Sequence, residues 1–178
     1  MKRLAPFLWL LFALPIAAVI TTPLSIGEMT AKAQLIVHAS VLSKSCERDP
    51  EGRIYTKIEA QVKETWKGSP AASPLTIVHG GGNLGTDQVE VAGQVEYAVG
   101  EEVVAFLVLN TRGEAVTIGL AQGKFHVWKD EATGHVLVRN PFHGAGGTAS
   151  AKIASNRSQD SGPLTLSMLK ARVTGKEK

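Results

Sequence analysis

The longest regular pattern in the chain follows Arg53, where Ile54, Thr56, Ile58, Ala60, Val62 and Trp66 hold one parity and Tyr55, Lys57, Glu59, Gln61, Lys63 and Thr65 the other. A period of two sustained well beyond the ~5–6 residues of an ordinary strand predicts a long half-buried strand, coiled across two sides of a small barrel. The preceding run, Leu35 to Leu42, is apolar on both parities apart from His38 and Ser40, which predicts a central strand. Asp49-Pro50-Glu51-Gly52 supplies the turn between the two. Shorter strands are expected at Leu75 to Val78, Gln88 to Val91 and Val136 to Arg139, and Glu102 to Leu109 is apolar enough to be the core strand. Val116, Ile118 and Leu120 share a parity that Phe125 and Val127 reverse, so a bulge is expected at Gly123.

Helices are expected only at the two ends. Ser25-Ile26-Gly27-Glu28 has the spacing of a capping box, predicting a helix over about 26–33. Thr165 can cap a second, within 163–174, with Leu166, Leu169 and Val173 on one face. Residues 140–162 turn to Gly, Ala, Ser and polar residues without period, as expected of a flexible linker.

The first 18 residues change the picture of compartment. Lys2 and Arg3 precede an apolar run from Leu4 to Ile20 broken by Pro6 and Pro15. That is the layout of an export signal, which needs only about 7–15 apolar residues, and not of a stable membrane span. Cleavage is expected after Ala18; a site just before Pro23 and retention as an amino-terminal anchor are the alternatives. Loss of Lys2 and Arg3 brings the basic residues close to parity with the acidic ones, which leaves no broad basic footprint for nucleic acid. Cys46 is the single cysteine, so no intrachain disulfide can form, and its polar neighbours suggest a plain thiol near a hairpin end. The expected localisation is secreted or periplasmic.

The candidate chemistry is sparse. His79-Gly80-Gly81-Gly82 looks like an esterase oxyanion loop, but the Gly-x-Ser-x-Gly elbow that such chemistry requires is missing, and a structural turn explains the glycines. The five histidines, His38, His79, His126, His135 and His143, show none of the tight spacings of a zinc site. Paired carboxylates at Glu101-Glu102 and Asp130-Glu131 are adjacent in sequence, where side chains diverge. Asn156-Arg157-Ser158 matches a glycosylation sequon by composition alone. No catalytic residue, metal ligand or cofactor is expected.

Several pieces together carry a resemblance: Val62-Lys63-Glu64-Thr65-Trp66-Lys67-Gly68, the His79-Gly80-Gly81-Gly82 turn, Val99-Gly100-Glu101-Glu102-Val103 and Gly119-Leu120-Ala121-Gln122-Gly123-Lys124-Phe125. Over residues 25–139 the chain resembles a group of exported bacterial proteins that look like the OB-fold domain of tissue inhibitors of metalloproteases and netrin-like modules. The resemblance implies a mainly β fold, a small five-stranded OB-like Greek-key barrel with short flanking helices. It further implies a non-enzymatic protein-binding module, inhibitor-like or accessory to a secreted zinc metalloprotease. The animal inhibitors use an amino-terminal cysteine on the protease zinc; here Cys46 is internal, so the partner would be met by loops, His79, Gly80, Gly81, Gly82 and Asn83 in one and Gln122, Gly123 and Lys124 in the other. Two rival expectations are a small metal-dependent hydrolase using surface histidines and a structural cell-envelope module.

Overall fold

The computed structural model describes residues 23–144 and 162–176. The expected leader, most of the expected linker and the Asn156 sequon lie outside the described residues. Ten strands and two α-helices follow in order: α1 (Ile26–Lys32), β1 (Leu35–Arg48), β2 (Ile54–Lys67), β3 (Leu75–Gly80), β4 (Gly82–Leu84), β5 (Asp87–Val89), β6 (Glu102–Leu109), β7 (Ala115–Thr117), β8 (Lys124–Lys129), β9 (Val136–Arg139), β10 (Leu164–Thr165) and α2 (Leu166–Thr174). The fold is mainly β, with eight strands in one mixed sheet in the order β1-β2-β3-β7-β6-β8-β9-β10 and a separate β4–β5 ribbon. Strand β6 also pairs with β1, and β3 meets β7 through one parallel pair, Ile77 with Ala115.

Both helices begin where a side chain can satisfy otherwise free backbone N–H groups. At α1 the Ser25 hydroxyl accepts from the Glu28 N–H, and the Glu28 carboxylate accepts from the Ser25 N–H at 2.8 Å. At α2 Thr165 accepts from the Met168 N–H at 3.1 Å, and the helix ends at Gly175 in the left-handed region. Among the described residues no helix is long and apolar enough to cross a membrane.

β1 and β2 pair antiparallel along their length, and three register shifts, at Ile36/Val37, His38/Ala39 and Val41/Ser43, add twist to the hairpin. The polar end of β1, Ser43 to Arg48, is a strand because β2 pairs it, which its own composition does not announce. Its turn is tied by Asp49, whose carboxylate accepts from the Arg53 backbone at 2.8 Å and the Arg53 side chain at 2.7 Å.

Two apolar cores lie on opposite sides of β1 and β6. Leu35, Val37 and Ala39 join Val103, Ala105 and Leu107 in the first, together with Ile58, Ala60 and Ile77. Ile36 joins Val104 and Phe106 in the second, with Ile26, Met29, Phe125, Val138 and Leu169. This is why β1 and β6 are apolar on both parities while β2 alternates.

Two expectations need correction. The main sheet holds eight strands where a five-stranded barrel is expected, since β8, β9 and β10 continue it beyond β6. The register change near Gly123 is made by a single 3-10 turn, Leu120–Gly123, and not by a bulge. Gly119 and Leu120 take φ of 59° and 58°, swinging the chain from β7 to β8. A Cβ on Gly123 would stand 2.6 Å from the Ile118 carbonyl oxygen, so the close approach of turn and strand requires glycine.

Asn140 and His143, at the start of the segment expected to be a linker, are buried. The Asn140 amide donates to the Gln122 carbonyl at 2.6 Å, and its Oδ1 accepts from the His143 N–H at 2.6 Å.

Phe106 is 0 % exposed and Leu109, on the same strand, is 49 % exposed. Phe106→Ala is therefore expected to cost about 3–5 kcal/mol and Leu109→Ala less than about 0.5 kcal/mol in chemical denaturation.

A candidate cleft beneath the glycine loop

The turn that fixes the β1–β2 register also builds one row of side chains across three strands. Cys46 lies opposite Thr56 on β2, and Thr56 lies opposite His79 on β3. Directly paired residues project to the same face, so the three share one side of the sheet. Thr56 is fully buried and its hydroxyl donates to the Gly81 carbonyl at 2.7 Å. With that proton committed, Thr56 Oγ1 is left to accept from the Cys46 thiol at 3.5 Å.

Above this row the chain turns through Gly80, Gly81 and Gly82 into the β4–β5 ribbon. Gly81 has φ +78°, and a Cβ there would stand 2.5 Å from the Val89 carbonyl oxygen. Gly82 has φ +135°, and its Cβ would stand 2.5 Å from Thr56 Oγ1 and 2.6 Å from Cys46 Sγ. Gly80 has neither constraint, its nearest neighbour being Val91 Cγ2 at 3.8 Å. The Gly81 N–H, which an oxyanion hole would leave free, is bonded to the Ile54 carbonyl at 2.9 Å. The glycines thus seat a ribbon closely on a thiol and a hydroxyl.

An open cleft of ≈ 450 Å³ and another of ≈ 470 Å³ flank the segment that follows the ribbon. The larger is walled by His79, Gly80, Gly81, Gly82 and Asn83, with Lys44 and Cys46 from β1 and Glu90 and Glu96 beyond the ribbon. An exposed Arg48–Asp87 ion pair spans from β1 to β5. His79 Nδ1 donates to the Gly80 carbonyl at 2.9 Å, which leaves Nε2 as the unprotonated nitrogen. That Nε2 is buried with no hydrogen-bond partner. Burial holds the His79 imidazole below its ordinary pKa, against the opposing influence of the Gly80 carbonyl.

The second expected loop separates into two roles. Gln122 and Gly123 are buried, and Gln122 Oε1 accepts from the Leu24 N–H at 2.7 Å, so both hold the fold together. Lys124 reaches the smaller cleft, donating to Glu101 at 2.6 Å and lying 5.0 Å over the Tyr97 ring. His126 donates to the same carboxylate at 3.0 Å and stacks on Trp128 with ring centroids 5.7 Å apart. Burial would raise the Glu101 pKa, but the Lys124 ammonium, the Ala98 N–H and His126 outweigh it and hold the carboxyl below its usual range. Glu96 lines both clefts and is where they adjoin.

Compared with known proteins, the chain matches no family model and no curated protein.

The remaining histidines are dispersed. His38 donates to Glu102 at 2.6 Å, and His143 sits against Asn140. The β8–β9 hairpin places Arg139, not His135, opposite His126. Among the described residues no three His, Cys, Asp or Glu side chains gather as a metal site. The glycine loop and Lys124, singled out in the sequence as loop candidates, line these two clefts, and so do Lys44, Cys46 and Glu96, which are not among those candidates. The pairing of Cys46 with Thr56 follows from closure of the loop between Asp49 and Arg53, one residue longer than the Asp49–Gly52 turn read from the sequence.

Two measurements follow. Gly80→Ala is expected to be neutral or stabilising by up to about 1 kcal/mol, and Gly82→Ala to destabilise by more than about 1 kcal/mol, in urea unfolding. Because the Glu101 pKa is lowered by folding, its contribution is present above the unfolded value of about 4.3 and is lost as pH falls through the folded one. Thermal unfolding of Glu101→Gln between pH 3 and 7 is expected to lack that part of the acid-induced loss.

Proposed function

We propose that this chain is an exported, non-enzymatic OB-like barrel that binds a protein partner, a secreted zinc metalloprotease, through the cleft beneath the His79–Asn83 loop. The observation that carries the reading is the cleft itself: a ribbon seated over β1 and β2 leaves a polar recess lined by Lys44, Asn83, Glu90 and Glu96. Such a recess offers hydrogen-bonding groups to an inserted loop or chain end without presenting a nucleophile held by a base. The glycine turn is committed to seating the ribbon, which speaks for recognition over catalysis.

The OB-like architecture is supported by the circuit of pairings, in which β1 pairs with β2, β2 with β3, β3 with β7, β7 with β6 and β6 again with β1. A circuit of five leaves strand edges covered by one another. Export is supported by the Lys2-Arg3 start and the proline-interrupted apolar run after it. Lys124, at the neighbouring cleft, extends the binding face through Glu96.

The test is capture from the producing organism's exported fraction by the chain begun at Val19, with and without a metal chelator, read by mass spectrometry. One protease retained by the wild type, lost with chelator and lost with Glu96→Lys, is the expected outcome. Retention of none, with a folded bait, overturns the reading.

A further inference from the structure

The β4–β5 ribbon belongs to a flap. Gly81 is buried, and so is Val95, but no residue from Gly82 to Gln94 is. The flap is therefore fastened at its two ends and holds itself down with little apolar burial, the condition under which a segment opens without global unfolding. Positive-φ glycines sit at both ends, Gly81 and Gly82 at one and Gly93 at the other. Its fastening at the first end is polar: the Gly81 N–H to Ile54, the Thr56 hydroxyl to Gly81, and the exposed Arg48–Asp87 pair beyond.

His79 stands at that fastening with its Nε2 lone pair buried and unpartnered. In the neutral ring this costs one missing hydrogen bond. In the protonated ring the same atom becomes a charged N–H donor facing no acceptor, which is more costly for as long as that atom is held out of water. The groups around it do not supply one. On the flap side Lys44, Cys46, Glu90 and Glu96 line the cleft, Glu96 favouring the cation and Lys44 opposing it. On the other side Asp49, Arg53, Tyr55, Arg112 and Glu114 line an adjoining cleft, where Asp49 is already paired with both arginines and Glu114 with Asn110.

We propose that His79 is a proton-operated latch: a second proton on its ring, taken up at Nε2, releases the flap between Gly81 and Val95, admits water to the new N–H and lifts Gly82 from the half-buried Cys46 thiol. The flap is closed at neutral pH and opens as the medium acidifies below about 6.5, the ordinary range of histidine. The sign follows from the closed state preferring the neutral ring, so closure is full above that pH and is lost as pH falls. An exported protein meets the pH of its surroundings directly, and the latch would make access to the cleft depend on it. The inference goes beyond the proposed binding role and does not depend on which partner is bound.

The test reads the sole thiol. Reaction of Cys46 with 4,4′-dithiodipyridine, in which the thiolate displaces thiopyridone to form a mixed disulfide, is followed at pH 7.5 and 5.5. Each rate is divided by that of the urea-unfolded chain at the same pH, which removes the titration of the thiol itself. The corrected rate is expected to rise at least tenfold on acidification in the wild type and to stay level in His79→Gln. Hydrogen exchange on the wild type alone provides a second readout: backbone protection is expected to fall in Gly81–Val89 and to persist in Ile58–Val62. An equal acid response in His79→Gln, or loss of protection spread evenly over both segments, overturns the proposal.

Discussion

Burial of β1 and β6 on both faces is the constraint that organises the molecule. A strand apolar on one face needs one cover; these two need a cover on each side, and the chain supplies them from different places. The first core takes Ile58, Ala60 and Ile77 from β2 and β3, while the second takes Ile26 and Met29 from α1, Phe125 from β8 and Leu169 from α2. Fully buried Ile36 and Phe106, paired across β1 and β6, face the second core, and their neighbours Val37 and Ala105 face the first. Removing either cover would expose a row of large apolar side chains to water, at roughly 1.5–3 kcal/mol for each.

Charge is handled at the point where β6 enters this sandwich. Glu101 and Glu102 are consecutive and therefore diverge, one toward Lys124 and His126, the other toward Lys63 and His38. Each carboxylate meets a lysine and a histidine, so two adjacent acids tie β6 to β8 on one side and to β1 and β2 on the other. The Glu101 group, with 10 % of its side chain exposed, is the one for which the partners matter most, because a buried acid left alone would not stay ionised. A similar use of charge docks α2, where Lys170 reaches Glu64 and the same carboxylate accepts from the Trp66 indole at 2.9 Å.

Much of this was legible in the chain. Period-two alternation marked β2, an apolar run marked β6 from Glu102 to Leu109, and the Ser25–Glu28 spacing marked the start of α1. Apolar residues on both parities of β1 signalled a strand covered twice, yet not that terminal helices were the second cover, since that depends on how distant segments return. The polar end of β1 was invisible because partnering with β2, and not the propensity of Ser43 to Arg48, makes it a strand. The turn at Leu120 was read as a bulge because parity shows that the register changes but not by what backbone path. At the site, the glycine loop could be found from its composition, whereas the flap's reliance on Cys46 and Thr56 required knowing which strand lies beneath it. Gln122 and Gly123 looked like an exposed loop and are instead a buried corner, for the sequence carries no mark of the Leu24 and Asn140 contacts that enclose them.

The two cores also differ in when a growing chain can complete them. Every buried residue of the first lies between Leu35 and Ala115, and its strands are joined largely by local hairpins. The second needs Ile26 and Leu169 together, bringing the two ends of the described fold into one cluster. Since long-range closure is the slower event and segments fold as they become available, the first core can consolidate while the second still awaits α2. Without α2, Ile36 and Phe106 have α1 and β8 to lean on but not the cover that Leu169 supplies, so the second core is complete only when both ends of the described fold are in place.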